Sequence, residues 1–329
     1  MKKPITRVVF LLLIGLSLTA HAGQPASEYS VELIDGPLSP SPFDPGSFTL
    51  LSDISNNGIA VFYSEALPVD ATDYSVILFA YGLYETKSGE YTMLGTGQYA
   101  APFYDQEFQD GFGVFGINAP GALVGGESCL VIDKMGNETY PIPNGNPECN
   151  TRGIAANGVV SGYTIDEEGV WSGFSYDTKS DTYEEFLPDP DRNIAQAINA
   201  KGQIVGDIGP FPNREGYVHE IGGSDRRFQV SIDGVNYPTV ARGISDSGVI
   251  AGVFYTENGF EGFVGSLSDD PDDYDLVPDA IFNAETVPGC TQVFISRIND
   301  KGVMAGFCEG NGVDFYAKGL LLIPLPPGQ

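Results

Sequence analysis

Aromatic rings and carboxylates gather in one stretch of this chain, GQYAAPFYDQEFQDGF, residues 97 to 112. Its side chains form a candidate ligand site: Tyr99, Phe103, Tyr104, Asp105, Phe108 and Asp110. Aromatic faces can stack on a sugar ring or grip a peptide, and the neighbouring carboxylates can accept hydrogen bonds from either ligand. The alternative is a long loop that packs its own rings over the fold.

A second group of oxygen-bearing side chains, Asp189, Asp191 and Asn193, has the spacing Asp-x-Asp-x-Asn. Such oxygens can bind calcium, so the sequence predicts a candidate calcium site and no other cofactor. The pattern is not an EF-hand, because Ile194 replaces the required glycine and Ala200 stands where the bidentate glutamate belongs. Ordinary turn chemistry is the alternative.

Other signals of catalysis are scarce in the sequence. The chain has two histidines, His21 and His219, which excludes a zinc site built from several histidines. It contains no phosphate-binding glycine loop, nucleophile elbow or zinc signature. No residue is therefore predicted to be catalytic, although a pair of carboxylates stays open because acidic residues are abundant.

The first residues, MKKPITRVVFLLLIGLSLTAHAG, combine a basic start, a short apolar run and small residues before a cleavage point. This order predicts a signal peptide over residues 1–22 and a protein exported to the periplasm or beyond the cell. A membrane anchor is the alternative, but the apolar run is short for a span, so no transmembrane segment is expected in the mature chain. The formal net charge of -28 would repel nucleic acid, so no nucleic-acid partner is expected.

Four cysteines in an exported chain predict two disulfide bonds. Three pairings are open. We expect Cys129–Cys149 and Cys290–Cys308, because each pair falls within one repeat or at its junction with the next.

The elements that position these residues come from a ten-residue motif that occurs six times, as in GISDSGVIAG at residues 243 to 252. Each copy has a leading isoleucine, a first glycine four residues later and, in five copies, a second glycine eight residues later. The leading isoleucines are Ile54, Ile117, Ile154, Ile198, Ile244 and Ile298. The first glycines are Gly58, Gly121, Gly158, Gly202, Gly248 and Gly302. The second glycines are Gly125, Gly162, Gly206, Gly252 and Gly306, with Phe62 in the first copy.

The motif predicts a β-hairpin whose type I turn ends on a left-handed first glycine. A glycine inside a strand marks a close approach of another backbone, so we expect the second glycines at a crowded central axis. A second hairpin follows each first one, which makes about four short strands in each repeat. Repeats of this kind, spaced 37 to 63 residues apart, are typical of propeller blades.

The predicted fold class is all-β, a six-bladed β-propeller of four-stranded antiparallel blades. It spans residues 23–329 as a single domain, and a β-solenoid or a two-sheet sandwich is the alternative. The segment YSVELI, residues 29 to 34, has the form of an exit strand that closes the ring on the last blade. The tail GLLLIPLP competes with it for that place.

The phrases GINAPGALVGG, AINAKGQIVGD and RGISDSGVIAGVF, each followed by a strand with a glycine and an aromatic residue, resemble a bacterial extracellular repeat family named for a His-Ala-Phe signature. The resemblance covers most of residues 29 to 318. It implies export and repeated β units, and it carries over no catalytic residue because the family as a whole has no characterised function. This chain lacks the His-Ala-Phe tripeptide, and GYVH at residues 216 to 219 comes near it.

These observations predict an exported, noncatalytic repeat protein that binds a glycan, peptide or protein partner at the cell envelope or outside the cell. The alternatives are a secreted polysaccharide-acting enzyme with paired carboxylates, and a structural surface or matrix protein. We expect the ligand on the face that carries the links between hairpins, above all at residues 99 to 110. The reason is the spacing of 63 residues between the first two copies, the longest of the array.

Overall fold

The computed structural model describes residues 29–38, 48–66, 76–100, 114–125, 129–140, 148–268, 270, 274–310 and 317–326. Within these ranges the chain is all β, as predicted, and has no helix. None of the described segments forms a helix of the length and hydropathy that crossing a membrane requires.

The described strands are short and follow one another with few long gaps. The first nine are β1 (Tyr29–Ile34), β2 (Phe48–Ile54), β3 (Ile59–Ala66), β4 (Val76–Glu85), β5 (Glu90–Ala100), β6 (Gly116–Ile117), β7 (Leu123–Gly125), β8 (Leu130–Ile132) and β9 (Glu138–Thr139). The next nine are β10 (Glu148–Ile154), β11 (Val159–Ile165), β12 (Trp171–Asp177), β13 (Thr182–Asp189), β14 (Asn193–Ile198), β15 (Gln203–Ile208), β16 (Glu215–Glu220), β17 (Asp225–Ile232) and β18 (Val235–Tyr237). The last eight are β19 (Thr239–Ile244), β20 (Ile250–Thr256), β21 (Gly259–Gly265), β22 (Asp275–Leu276), β23 (Ala280–Phe282), β24 (Gln292–Ile298), β25 (Met304–Glu309) and β26 (Ala317–Pro324).

Four of the sheets are separate antiparallel blades, each built around one motif hairpin. Their strand orders are β6-β7-β8-β9, β10-β11-β12-β13, β14-β15-β16-β17-β18 and β19-β20-β21-β23. The short strand β22 leaves its own repeat and pairs in parallel with β17 of the preceding blade. The fourth strand of its own blade is β23.

A fifth sheet has eight strands and contains both the first and the last motif hairpin, β2–β3 and β24–β25. One parallel pair, Phe48 with Ala317, joins β2 to β26 and makes the two repeats continuous. The prediction of six separate four-stranded blades is therefore wrong in its count of sheets. The physical reason is that the two ends of the repeat array meet at this place and share hydrogen bonds.

The motif hairpins have the predicted turn. In each copy the first glycine has a positive φ, from +74° to +93°. Its N–H donates to the carbonyl of the residue after the leading isoleucine, as Gly302 does to Asn299 at 2.9 Å. The asparagine or serine at that position supports the turn with its side chain, since Asn299 Oδ1 accepts hydrogen bonds from Lys301 N and Val303 N.

Hydrogen bonds link every motif turn to the next and the last turn to the first. Three asparagines of the motif donate across the junctions: Asn118 Nδ2 to Ala155 O at 3.1 Å, Asn199 Nδ2 to Ser245 O at 2.9 Å and Asn299 Nδ2 to Ser55 O at 3.1 Å. The other junctions are Asn57 Nδ2 to Ala119 O at 2.8 Å, Asn157 Nδ2 to Ala200 O at 3.3 Å and Asp246 N to Asp300 Oδ1 at 2.6 Å. The turns therefore form a closed ring, and the sheets are arranged as a β-propeller rather than as a solenoid or a sandwich.

The second glycines do not lie at the axis, which corrects the sequence prediction. They are on the second strand of each blade, and a Cβ on Gly162, Gly206 or Gly252 would collide with a carbonyl oxygen of the adjacent first strand. The crowded axial position is instead the residue before each leading isoleucine. A Cβ on Gly153 would come within 2.9 Å of Ala197 Cα in the neighbouring blade.

Strand β1 closes the ring as predicted. It pairs antiparallel with β26 over its whole length, from Tyr29 opposite Pro324 to Ile34 opposite Gly319. The tail strand does not compete with it, because β26 is the next strand inward and pairs with β25 on its other side. Closure thus uses the first described strand and the last one side by side.

Both predicted disulfide bonds are confirmed. Cys129 pairs with Cys149 across a Cα–Cα distance of 5.3 Å, and Cys290 pairs with Cys308 across 5.5 Å. All four residues are buried.

Replacing Cys290 and Cys308 together with serine is expected to lower the free energy of unfolding by about 3 kcal/mol, since the closed loop is short and the bond restricts the unfolded chain. Urea denaturation of the double variant and the wild type measures the effect. An unchanged midpoint would show that this bond does not stabilise the last repeat.

Candidate functional site

The motif turns surround a depression at one end of the propeller axis, which we call the turn-side funnel. It encloses about 550 Å³ of space, part of which is open to solvent. The six leading isoleucines form its wall, and the residues two positions after them, including Asn56, Asp246 and Asp300, form its rim. The funnel therefore has isoleucines along its wall and two acids, Asp246 and Asp300, at its mouth.

Arg297 closes the funnel from below and ties several sheets together. Its Nη1 donates to Arg242 O at 2.5 Å, and its Nη2 donates to Arg152 O at 2.7 Å and to Gln196 O at 2.5 Å. Asp53 Oδ1 lies 3.7 Å from Arg297 Nε. Both side chains are buried, so the pair is a structural plug at the axis.

Burial sets the protonation of this pair. It raises the pKa of Asp53 above its ordinary value, although Arg297 and the N–H groups of Ile54 and Ile117 oppose the shift. It also lowers the pKa of Arg297 to about 10. Asp53 accepts hydrogen bonds from Ile54 N at 2.7 Å and from Ile117 N at 2.8 Å, so each of its carboxylate oxygens is hydrogen-bonded to a backbone N–H.

The opposite end of the axis, where the links between hairpins lie, is lined by four arginines that we call the arginine cluster. Its members are Arg152, Arg192, Arg214 and Arg242. Arg152 and Arg242 occupy β-bulges two residues before a leading isoleucine, whereas Arg192 and Arg214 immediately precede β14 and β16. Bulges often re-aim side chains beside functional sites.

Asp207 is the buried counter-ion of the cluster. Its Oδ2 accepts a hydrogen bond from Arg192 Nε at 2.8 Å and lies 3.6 Å from Arg214 Nε, while its Oδ1 accepts one from Gln196 Nε2 at 3.1 Å. Burial alone would raise the pKa of Asp207, but the two arginines and the hydrogen bonds hold it below its ordinary value. Asp207 is therefore charged in the folded protein.

Asp207→Asn is expected to change how stability depends on acid. Because the folded-state pKa is depressed, the stabilisation by Asp207 is complete above its ordinary pKa of 3.8 and is lost as the pH falls through the lower folded-state value. The variant should lose about 3–5 kcal/mol at pH 7 and progressively less below about pH 4. Urea denaturation between pH 2 and 7 checks this, with Asp191→Asn as the control. A stability loss that stays constant across that range would contradict the charged role of Asp207.

Aromatic rings surround the arginine cluster. Trp171 stacks on Tyr163 with ring centroids 5.0 Å apart and lies 6.0 Å from the guanidinium carbon of Arg192. The ring of Tyr255 lies 6.0 Å from the guanidinium carbon of Arg214. It also contacts Phe211, whose side chain is 59% exposed. We call Trp171, Tyr255 and Phe211 the aromatic rim.

Most of the aromatic segment predicted to bind ligand lies outside the described residues. This holds for Phe103, Tyr104, Asp105, Phe108 and Asp110, while the backbone of Tyr99 lies in β5 opposite Ile77. Strand β5 ends on the same side of the propeller as the arginine cluster.

The three residues of the predicted calcium site lie within the described part of the chain and make local contacts. Asp189 Oδ1 accepts hydrogen bonds from Asp191 N at 2.9 Å and Arg192 N at 3.0 Å. Asn193 is fully buried, where its Oδ1 accepts a hydrogen bond from Tyr217 Oη at 2.9 Å. Within the described ranges, no group of three acidic, histidine or cysteine side chains is arranged for a metal ion. The calcium site remains a prediction.

The arginine cluster and the Arg297 plug were not among the residues predicted from the sequence. A signal was present, because the chain has only 16 basic residues and Arg152 and Arg242 each stand one residue before a copy of the ten-residue motif. The scarce basic residues, rather than the abundant acidic ones, are the sequence signal for this site.

Comparison with solved structures supports the propeller fold. The chain is similar to an oligogalacturonate lyase in complex with manganese, with a TM-score of 0.50 and 12% identity over 99% of this chain and 97% of that one. It is also similar to virginiamycin B lyase from Staphylococcus aureus, with a TM-score of 0.42 and 12% identity over 91% and 100% of the chains. A third similar structure is the β-propeller domain of the trilobed protease from Pyrococcus furiosus, with a TM-score of 0.44 and 12% identity over 85% and 86%.

At these identities the likeness concerns the fold alone. Neither the family models nor the curated proteins give a match.

Proposed function

We propose that this protein is an exported, noncatalytic β-propeller that binds a glycan, peptide or protein partner at the cell envelope or outside the cell. The aromatic rim carries this proposal. Trp171 and Tyr255 are partly exposed and Phe211 is largely exposed beside guanidinium groups. Rings presented to solvent beside hydrogen-bond donors suit a sugar or peptide, because the faces stack and the donors orient the ligand.

The hydrogen bonds that Asp246 and Asp300 accept favour a binding function over polysaccharide cleavage. Asp246 and Asp300 lie together at the funnel rim and are a candidate pair of carboxylates for an enzyme. Each of these acids already accepts a hydrogen bond from a backbone N–H: Asp246 from Ala200 N at 2.7 Å and Asp300 from Asp246 N at 2.6 Å. Carboxylates that hold the ring of turns are poorly suited to exchange protons with a substrate.

We infer further that the eight-stranded sheet acts as two blades, the first and the sixth of a six-bladed ring. Six motif turns and six hydrogen-bonded junctions support this count. The parallel contact between β2 and β26 then marks the seam where the ring closes.

Export through the signal peptide at residues 1–22 is part of the proposal. The two disulfide bonds support it, since such bonds persist mainly in oxidising compartments. The candidate ligand residues from Tyr99 to Asp110 and the candidate calcium site at Asp189, Asp191 and Asn193 also belong to the proposal.

The test is a glycan and peptide array probed with residues 23–329, with and without calcium. Phe211→Ala and Trp171→Ala are expected to lower the affinity for the ligand found about two- to thirteenfold each, because one stacked ring contributes about 0.5–1.5 kcal/mol. Tyr274→Ala is the matched control, since Tyr274 is 62% exposed and precedes β22 outside the aromatic rim. An array without any bound ligand, or equal losses in all three variants, would contradict the proposal.

A further inference from the structure

The arginine cluster concentrates positive charge in a strongly acidic protein. The chain carries a formal net charge of -28 and has 16 basic residues. Five of these, the cluster and Arg297, lie around the axis with two buried acids, Asp53 and Asp207. Like charges brought together out of water repel each other, so the cluster favours the approach of an anion.

Two members of the cluster have hydrogen-bond donors left over. The terminal nitrogens of Arg297 donate to backbone carbonyls, and Arg192 Nε donates to Asp207. In contrast, the side chain of Arg242 makes no hydrogen bond within the described part of the chain, and its Nε is buried. Arg214 donates to Tyr255 Oη at 3.2 Å, but its buried Nε makes no hydrogen bond to the described residues. Buried donors of this kind usually have an acceptor, and the described residues do not supply one here.

Both side chains are partly accessible to solvent, although their Nε atoms are buried. Arg242 is partly exposed, and the side chain of Arg214 is 15% exposed. Tyr255 of the aromatic rim lies beside Arg214 and contacts Phe211.

We propose that the arginine cluster binds the carboxylate of an acidic glycan, with the sugar ring against the aromatic rim. This assignment deepens the proposed function and rests on it. The planar guanidinium fork matches the two oxygens of a carboxylate, and the apolar face of a pyranose ring packs on an aromatic side chain. A uronic-acid unit carries both a carboxylate and a pyranose ring. An inorganic anion has no apolar face that could pack on the aromatic rim.

Isothermal titration calorimetry with three probes tests this assignment: a uronic-acid trisaccharide, the same trisaccharide with methyl-esterified carboxyl groups, and triglutamate. The acidic trisaccharide is expected to bind at least tenfold more tightly than its methyl ester or triglutamate. Equal binding of the ester would overturn the carboxylate assignment. Equal binding of triglutamate would replace the glycan by an acidic peptide.

The variant that isolates the donor is Arg242→Gln. It is expected to lower affinity for the acidic trisaccharide at least tenfold and to leave the melting temperature unchanged, because Arg242 donates no hydrogen bond to the described residues. Arg242→Lys should recover only part of the affinity, since the charge remains but the fork is lost. Arg227→Gln is the control, because Arg227 is 45% exposed and pairs with Glu215 on the surface. Unchanged affinity in Arg242→Gln would overturn the assignment.

The failure of this inference can be told apart from that of the proposed function. If the array finds a neutral glycan or a peptide whose affinity Arg242→Gln leaves unchanged, the protein is a binding propeller and the arginine cluster is structural. If no ligand of any class binds, both proposals fail.

Discussion

Replacing Arg297 with methionine is expected to lower the free energy of unfolding by about 3–5 kcal/mol. The substitution leaves the buried carboxylate of Asp53 without its cation. It also removes the donors to the carbonyls of Arg152, Gln196 and Arg242, which belong to three different blades. Urea denaturation at pH 7 measures the loss.

The pH dependence of that loss identifies its cause. The pKa of Asp53 is already raised by burial, and removing Arg297 takes away a charge that opposes the shift. A raised folded-state pKa means that the folded protein gains stability as the pH falls and the carboxyl binds a proton. The deficit of Arg297→Met should therefore be smaller at pH 4 than at pH 7.

A double variant is the control for lost packing. Adding Asp53→Leu to Arg297→Met should recover much of the stability, because the unpaired charge is gone. If the double variant is as unstable as the single one, the hydrogen bonds of the two side chains to the backbone, and not the ion pair, account for the effect.

The sequence could predict the hairpins because their causes are local. An asparagine or serine that supports a turn and a glycine with positive φ lie within five residues of each other, so each motif copy specifies its own hairpin. The same locality made the disulfide pairing predictable, since Cys129 and Cys149 belong to one repeat and its junction with the next. The closing role of β1 followed from its likeness to an exit strand.

The axial residues were not predictable in this way. Position by position the copies have Asp53, Gly116, Gly153, Ala197, Gly243 and Arg297 before the leading isoleucine. The small residues leave space at the axis that Arg297 fills, but this relation joins segments up to about 240 residues apart. The interpretation of the second glycines failed for the same reason, because crowding by an adjacent strand and crowding by an axis give the same sequence signal.

The arginine cluster shows why the candidate site could not be predicted from the sequence. Its members come from three blades, and no two of them fall within a recognisable motif. Their proximity depends on the order of blades around the ring, which the sequence fixes only through many weak contacts. The pairing of β22 with the preceding blade and the seam between β2 and β26 are non-local in the same sense.

Replacing Val31 with aspartate is expected to lower the free energy of unfolding by at least about 3 kcal/mol. Val31 is 7% exposed and packs in a cluster with Met304, Leu320 and Leu322. The substitution removes an apolar side chain from this core and buries a carboxylate without a partner. Loss of β1 would also expose the apolar edge of β26, an edge that favours aggregation. Urea denaturation and light scattering measure both effects.

Glu32→Gln is the matched control, since it changes a charge on the same strand at a half-buried position. It should leave the unfolding midpoint within experimental error of the wild type. Hydrogen exchange then tests whether β1 closes the whole ring. Because β26 belongs to one sheet with β2 and β24, Val31→Asp should speed exchange in the first repeat as well as in the last. Faster exchange confined to β26 would show that the ring stays closed through its turn-side hydrogen bonds, such as Asn299 to Ser55, without β1.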